Sequence, residues 1–212
     1  MIEKTCCVTG HRDIPQKEMN HVRAALRREI DCAVADGYTC FMSGFAEGAD
    51  QYFVEIVMEL QKENPALKLI AVLPYRKRLD SLKSKAGTYE MLEACADVVV
   101  MQEEYQPSVY SHRNRYMVEH SDRVIAVYDG REKGGTVRTI RFAHQMRKEL
   151  REIPVGDIFL PHYLNEAHKK KASRYSRYVK PVGSTALSLP LPAIWTGYGC
   201  LQYYFYHQFQ LP

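Results

Sequence analysis

Apolar residues over the first 155 positions fall into short continuous runs, separated by longer stretches in which they recur at helical spacing. Residues 5–9 (TCCVT), 39–43 (TCFMS), 69–73 (LIAVL), 97–101 (DVVVM) and 123–128 (RVIAVY) read as strands, and another strand starts near Ile153. Between the first two, residues 17–35 space Val22, Leu26, Ile30 and Ala33 as one face of a helix, with Gly37 as its stop. Residues 48–64 do the same with Ala49, Phe53, Ile56, Val57 and Leu60, and further helices are predicted within 79–95, around 111–120 and over 136–150. Strands apolar at every position are covered on both faces. The chain therefore predicts an α/β fold: a Rossmann-like, doubly wound, mainly parallel sheet with helices on both faces.

Ligands of such sheets bind beyond the carboxyl ends of the strands, so the residues just after each strand carry the chemistry. Gly10-His11-Arg12 comes after the first. Ser43-Gly44-Phe45-Ala46-Glu47-Gly48-Ala49-Asp50 comes after the second and opens into a helix, and Asp129-Gly130 comes after the strand at 123–128, with Gly134-Gly135-Thr136 ahead of the next helix. A helix start offers unpaired N–H groups and about half a positive charge, and glycine lets an anion approach them closely. Gly44, Gly48, Gly134 and Gly135 are placed to do this; Arg12 adds a charged fork and Thr136 a hydroxyl. Each glycine also has a plain reading as a strand end, a packing contact or a turn, and Asp50 reads equally well as a helix cap. His11 is an acid/base candidate whose ordinary role beside a strand end is structural. Arg113 and Arg115, two apart on a helix, point different ways, so at most one faces a cleft.

Charge matters mainly by where it lies. Through Val155 the chain holds 23 basic and 23 acidic side chains, whereas residues 156–212 hold six and two, so the tail carries the whole formal charge of +4. A neutral front domain argues against a broad basic face for nucleic acid. The six cysteines show no zinc spacing, and the first ten residues lack the apolar stretch of a secretory signal; reduced thiols in the cytoplasm are the expectation. His112, His120 and His144 form no metal-ligand pattern with nearby carboxylates, and no metal site is expected.

The motifs "TGHR", "SGFAEGADQ", "NRYMVEHSDRVIAVYDG" and "GGT", in that order, resemble the YpsA-like family (formerly DUF1273) of the SLOG superfamily. Its relatives include the LOG cytokinin-activating phosphoribohydrolases and the DNA-processing protein DprA. The resemblance spans about residues 4–155. It implies a domain binding a nucleotide or nucleotide-derived ligand through Gly10, His11 and Arg12; Ser43, Gly44, Gly48 and Asp50; Asn114 and Arg115; and Asp129, Gly134, Gly135 and Thr136. LOG enzymes resemble P-G-G-x-G-T-x-x-E at the last loop. This chain reads Lys133-Gly134-Gly135-Thr136-Val137-Arg138-Thr139-Ile140, without the third glycine or a glutamate at the matching place.

The expectation is therefore a nucleotide-binding domain at 1–155 acting as a sensor or regulatory module, with a nucleotide, NAD or an ADP-ribose derivative as ligand and no fixed cofactor. A nucleotide phosphoribohydrolase is the alternative, with Glu47 and Asp50 as candidate catalytic carboxylates. DprA-like binding of single-stranded DNA is the second alternative. A small molecule is the expected partner, a homo-oligomer is left open, and nucleic acid and membrane rank low. The tail at 156–212, basic over "HKKKASRYSRYVK" and then charge-free and aromatic, shows no clear period, and its prolines and glycines interrupt any membrane span.

Overall fold

The computed structural model describes residues 3–156; the tail expectations lie outside the described residues. In chain order the elements are β1 (Lys4–Gly10), a short 3-10 turn (Gln16–Glu18), α1 (Met19–Ala35), β2 (Tyr38–Ser43), α2 (Ala49–Glu63), β3 (Lys68–Leu73), α3 (Arg76–Lys83), α4 (Ala86–Glu93), β4 (Asp97–Val100), α5 (Val109–Glu119), β5 (Arg123–Tyr128), α6 (Gly135–Gln145) and β6 (Glu149–Pro154). The six strands form one sheet in the order β4-β3-β2-β1-β5-β6, and every neighbouring pair is parallel. Strand order reverses between β1 and β5, where Thr9 pairs with Ala126 and Gly10 with Val127. The carboxyl ends of these two strands bracket a crevice.

Alternation along β1 sends Cys6 and Val8 to one face and Cys7 to the other. The first face packs under α1, α2, α3 and α4 through Leu26, Ile30, Phe53, Val57 and Leu79. On the second face, Cys7, Met42, Val72 and Val124 meet Met117 and Val118 of α5 and Ala143 of α6. Complete burial of both cysteine thiols raises their pKa values, that of Cys7 to about 12. Cys6, Cys7, Cys40 and Cys95 are free thiols; Cys32 is not one of them. At the opposite, amino-terminal edge of the sheet, Arg123 joins Asp36 after α1 and Glu149 of β6 in two ion pairs of 2.5 and 2.9 Å.

Two predicted helices differ in extent. The stretch 79–95 is two helices, α3 and α4, because Lys85 turns extended (φ −110°, ψ 119°) and the Thr88 hydroxyl donates to the Leu82 carbonyl at 2.6 Å across the break. The helix expected to reach Leu150 stops at Gln145, since Arg147 takes a left-handed φ of 54° and Lys148 N–H returns to the Ala143 carbonyl at 2.9 Å. The last strand consequently starts at Glu149, earlier than Ile153, and Pro154 pairs with Tyr128 at its end. No described helix is long and apolar enough to cross a membrane.

Candidate functional site

A cleft of about 450 Å³ opens at the carboxyl ends of β1 and β5, within the usual range for small-molecule sites. Gly10, His11 and Arg12 form one wall, Asp50 of α2 its base, and Asn114 of α5 with Gly134, Gly135 and Thr136 of α6 the other wall. The structure thus brings together residues from all four sequence motifs. Ser43, Gly44, Gly48, Glu47, Asp129 and Arg115 were expected at the same site, and none of these lines the cleft.

Their placement has physical reasons. A Cβ on Gly44 would lie 1.1 Å from Arg113 Nη1, so this glycine makes room for a buried guanidinium and offers no open surface to an anion. Gly48 has φ +79°, and a Cβ there would lie 2.5 Å from the His11 carbonyl oxygen; that carbonyl accepts the Ala49 N–H at 3.3 Å. The start of α2 is therefore closed by protein backbone. Ser43 Oγ is fully buried and accepts the Phe45 N–H at 3.2 Å, which supports the left-handed Phe45 (φ 51°). Gly10 permits close helix packing, since an added Cβ would sit 2.3 Å from Ala49 Cβ. Glu47 is exposed. Arg115 is 59% exposed and pairs with Glu119 at 2.8 Å.

Arg113, the alternative to Arg115, is the arginine that faces the cleft. Its guanidinium is buried, 3.8 Å from Asp50 Oδ2, with Nε lacking a hydrogen-bond acceptor. Asp50 Oδ2 accepts the Gly44 and Ala46 N–H groups at 3.1 and 3.4 Å. Burial raises the Asp50 carboxyl and lowers the Arg113 guanidinium from their ordinary pKa values, while each opposes the other's shift through its charge. Breaking such a pair leaves one charge buried and alone.

His11 is also buried. Its Nε2 lies 2.9 Å from Asp129 Oδ1, an ion contact not aligned as a hydrogen bond, and its ring stacks on Tyr128 with centroids 5.9 Å apart. Burial lowers the His11 pKa, with Asp129 acting in the other direction. Behind it, Arg131 pairs with Asp129 at 2.6 Å and with Asp13 at 2.9 Å, joining the loop after β1 to the loop after β5.

The cleft is electropositive once its own pairs are counted. Asp13 and Asp50 each have an arginine partner, whereas Arg12, Lys133 and Arg138 make no ion pair within 4 Å to a carboxylate among the described residues. Lys133 and Arg138 flank the start of α6, where Gly134 (φ +130°) has nothing within 4 Å of an added Cβ, and Arg12 lines the cleft from the loop after β1. Sequence reading missed Lys133 and Arg138, although they flank the "GGT" motif, and Tyr110, which sits one turn before Asn114 on α5. No cluster of three or more His, Cys, Asp or Glu able to hold a metal occurs among the described residues.

Comparison with known proteins agrees with the motif order. Residues 6–156 match the family model YpsA, described as the YspA SLOG family. A UPF0398 protein of Bacillus thuringiensis (strain Al Hakam) is 30% identical over 160 residues, covering 69% of this chain and 85% of the relative. One from Bacillus pumilus (strain SAFR-032) is 27% identical over 151 residues, covering 66% and 81%. Among solved structures, TM1055 is similar at a TM-score of 0.44 and 18% identity, covering 69% of this chain and 72% of that one. The Moco carrier protein of Chlamydomonas reinhardtii gives 0.42 and 13%, covering 82% and 86%. With its family model matched from β1 to the end of β6, the chain belongs to the YpsA family of SLOG proteins.

Proposed function

We propose that the protein binds a nucleotide or nucleotide-derived small molecule and serves as a sensor or regulatory module, with the ligand's phosphate at the start of α6. The observation that carries this reading is the first turn of that helix, open at Gly134 and flanked in sequence by Lys133 and Arg138, in a cleft that Arg12 also lines, with none of the three ion-paired to a carboxylate among the described residues. Helix N–H groups and fixed guanidinium donors together favour a compact anion with several acceptor oxygens. The cleft volume suits a mononucleotide-sized molecule better than a polymer.

Thermal-shift and calorimetric titration with nucleotides, ADP-ribose and NAD tests this. At least one of them raises the melting temperature of the full chain, and Arg12→Ala, removing a charge-assisted contact worth about 1.5–3 kcal/mol, weakens binding roughly tenfold or more. Unchanged melting across the panel would remove the reading. The phosphoribohydrolase alternative draws support from Asp50, a carboxyl with a raised pKa at the cleft base. It ranks second because Asp50 Oδ2 is already engaged by two N–H groups and Glu47 does not line the cleft.

A further inference from the structure

Three tyrosines continue the cleft outward along the same sheet edge. Tyr110, in the first turn of α5, lines the cleft. The Tyr75 ring, just after β3, meets it edge-on with centroids 6.3 Å apart, and Tyr105, after β4, meets Tyr75 at 5.5 Å and 79°. The segments carrying Tyr75 and Tyr105 are held together by Arg76 N–H to the Gln102 carbonyl, 3.0 Å, and by the Arg76–Glu103 ion pair, 3.0 Å. Tyr105 is nonetheless 59% exposed. Arg12, from the opposite wall, lies 5.9 Å from the Tyr110 ring centroid and links the aromatic end of the cleft to its cationic end.

Distance along α5 orders these features. Asn114 Nδ2 is 3.6 Å from an added Cβ on Gly135, beside the start of α6, and Tyr110 is four residues earlier on the same helix face. At a rise of 1.5 Å per residue the two are about 6 Å apart along the axis, which leaves room for one pentose. We infer that the Tyr110–Tyr75–Tyr105 cluster is the subsite for a planar base. The ligand class is then a 5′-phosphorylated nucleoside, its phosphate at Gly134–Gly135, its pentose beside Asn114 and its base against the tyrosines. This rests on the anion site proposed above and adds the base and its orientation.

Calorimetry of the full chain with ribose 5-phosphate and with AMP, GMP, CMP and UMP separates the two ideas. Base stacking on an aromatic ring makes at least one monophosphate bind about tenfold tighter than ribose 5-phosphate. Tyr110→Ala narrows that gap, while Tyr110→Phe keeps it. Tyr105→Ala, at an exposed position outside the core, narrows it without altering the melting temperature of the free protein. Equal affinities with and without a base, or tyrosine variants that weaken both ligands alike, would overturn the base subsite and leave the anion site standing. Failure of all five compounds to bind would overturn both.

Discussion

A methyl group added at Gly44 would lie 1.1 Å from Arg113 Nη1, whereas one added at Gly135 has only Asn114 Nδ2 near it, at 3.6 Å. Gly44→Ala must evict a buried guanidinium and strand Asp50, so it costs about 3–5 kcal/mol of stability without any ligand present, read as a lowered urea midpoint. Gly135→Ala leaves stability within about 0.5 kcal/mol and weakens ligand binding instead, read by calorimetry. In the sequence both residues are glycines between a strand and the body of the next helix. Which one is filled by protein depends on Arg113, 69 positions downstream of Gly44, and no local pattern reports that. His11 likewise has a role that only the fold reveals. Its pKa in the fold lies below the ordinary 6.5, so the unfolded chain binds the proton more readily. Stability is then full above about pH 6.5 and declines as pH falls below it; His11→Gln flattens the pH dependence of the urea midpoint between pH 6.5 and 5.

Elements were legible where apolar periodicity was continuous and blurred where a backbone turn lacked its usual residue. The strands and the helices α1 and α2 follow from their patterns to within a residue or two at most ends. The end of α6 did not, because its left-handed stop is Arg147, and the arginine side chain gives no warning of a positive φ. A left-handed arginine costs about 1 kcal/mol relative to glycine. Arg147→Gly is therefore expected to raise the urea midpoint by about 0.5–1 kcal/mol equivalent with an unchanged slope. The α3–α4 break is similar: both halves are amphipathic, and the interruption lies in one extended lysine and one threonine hydroxyl.

For the molecule as a whole, the alternation of buried strands and helices settled the α/β class, and the turn residues pointed to the sheet edge where the cleft opens. The sequence could not separate residues that face the cleft from those that build its walls, since both kinds sit in the same motifs. That division gives the two sides of the cleft different mechanical characters. On the α2 side, backbone touches backbone at Gly48 and His11, and a buried ion pair fills the space above Gly44, so the loops after β1 and β2 are keyed into one piece. On the α6 side, Gly130 and Gly134 hold positive φ values and Gly134 has open space around it. The first side is closed by packed protein atoms, and the second has open space at Gly134. For the ligand proposed above, the open space at Gly134 is where a difference in bulk would be taken up, against a side held by His11, Asp50 and Arg113.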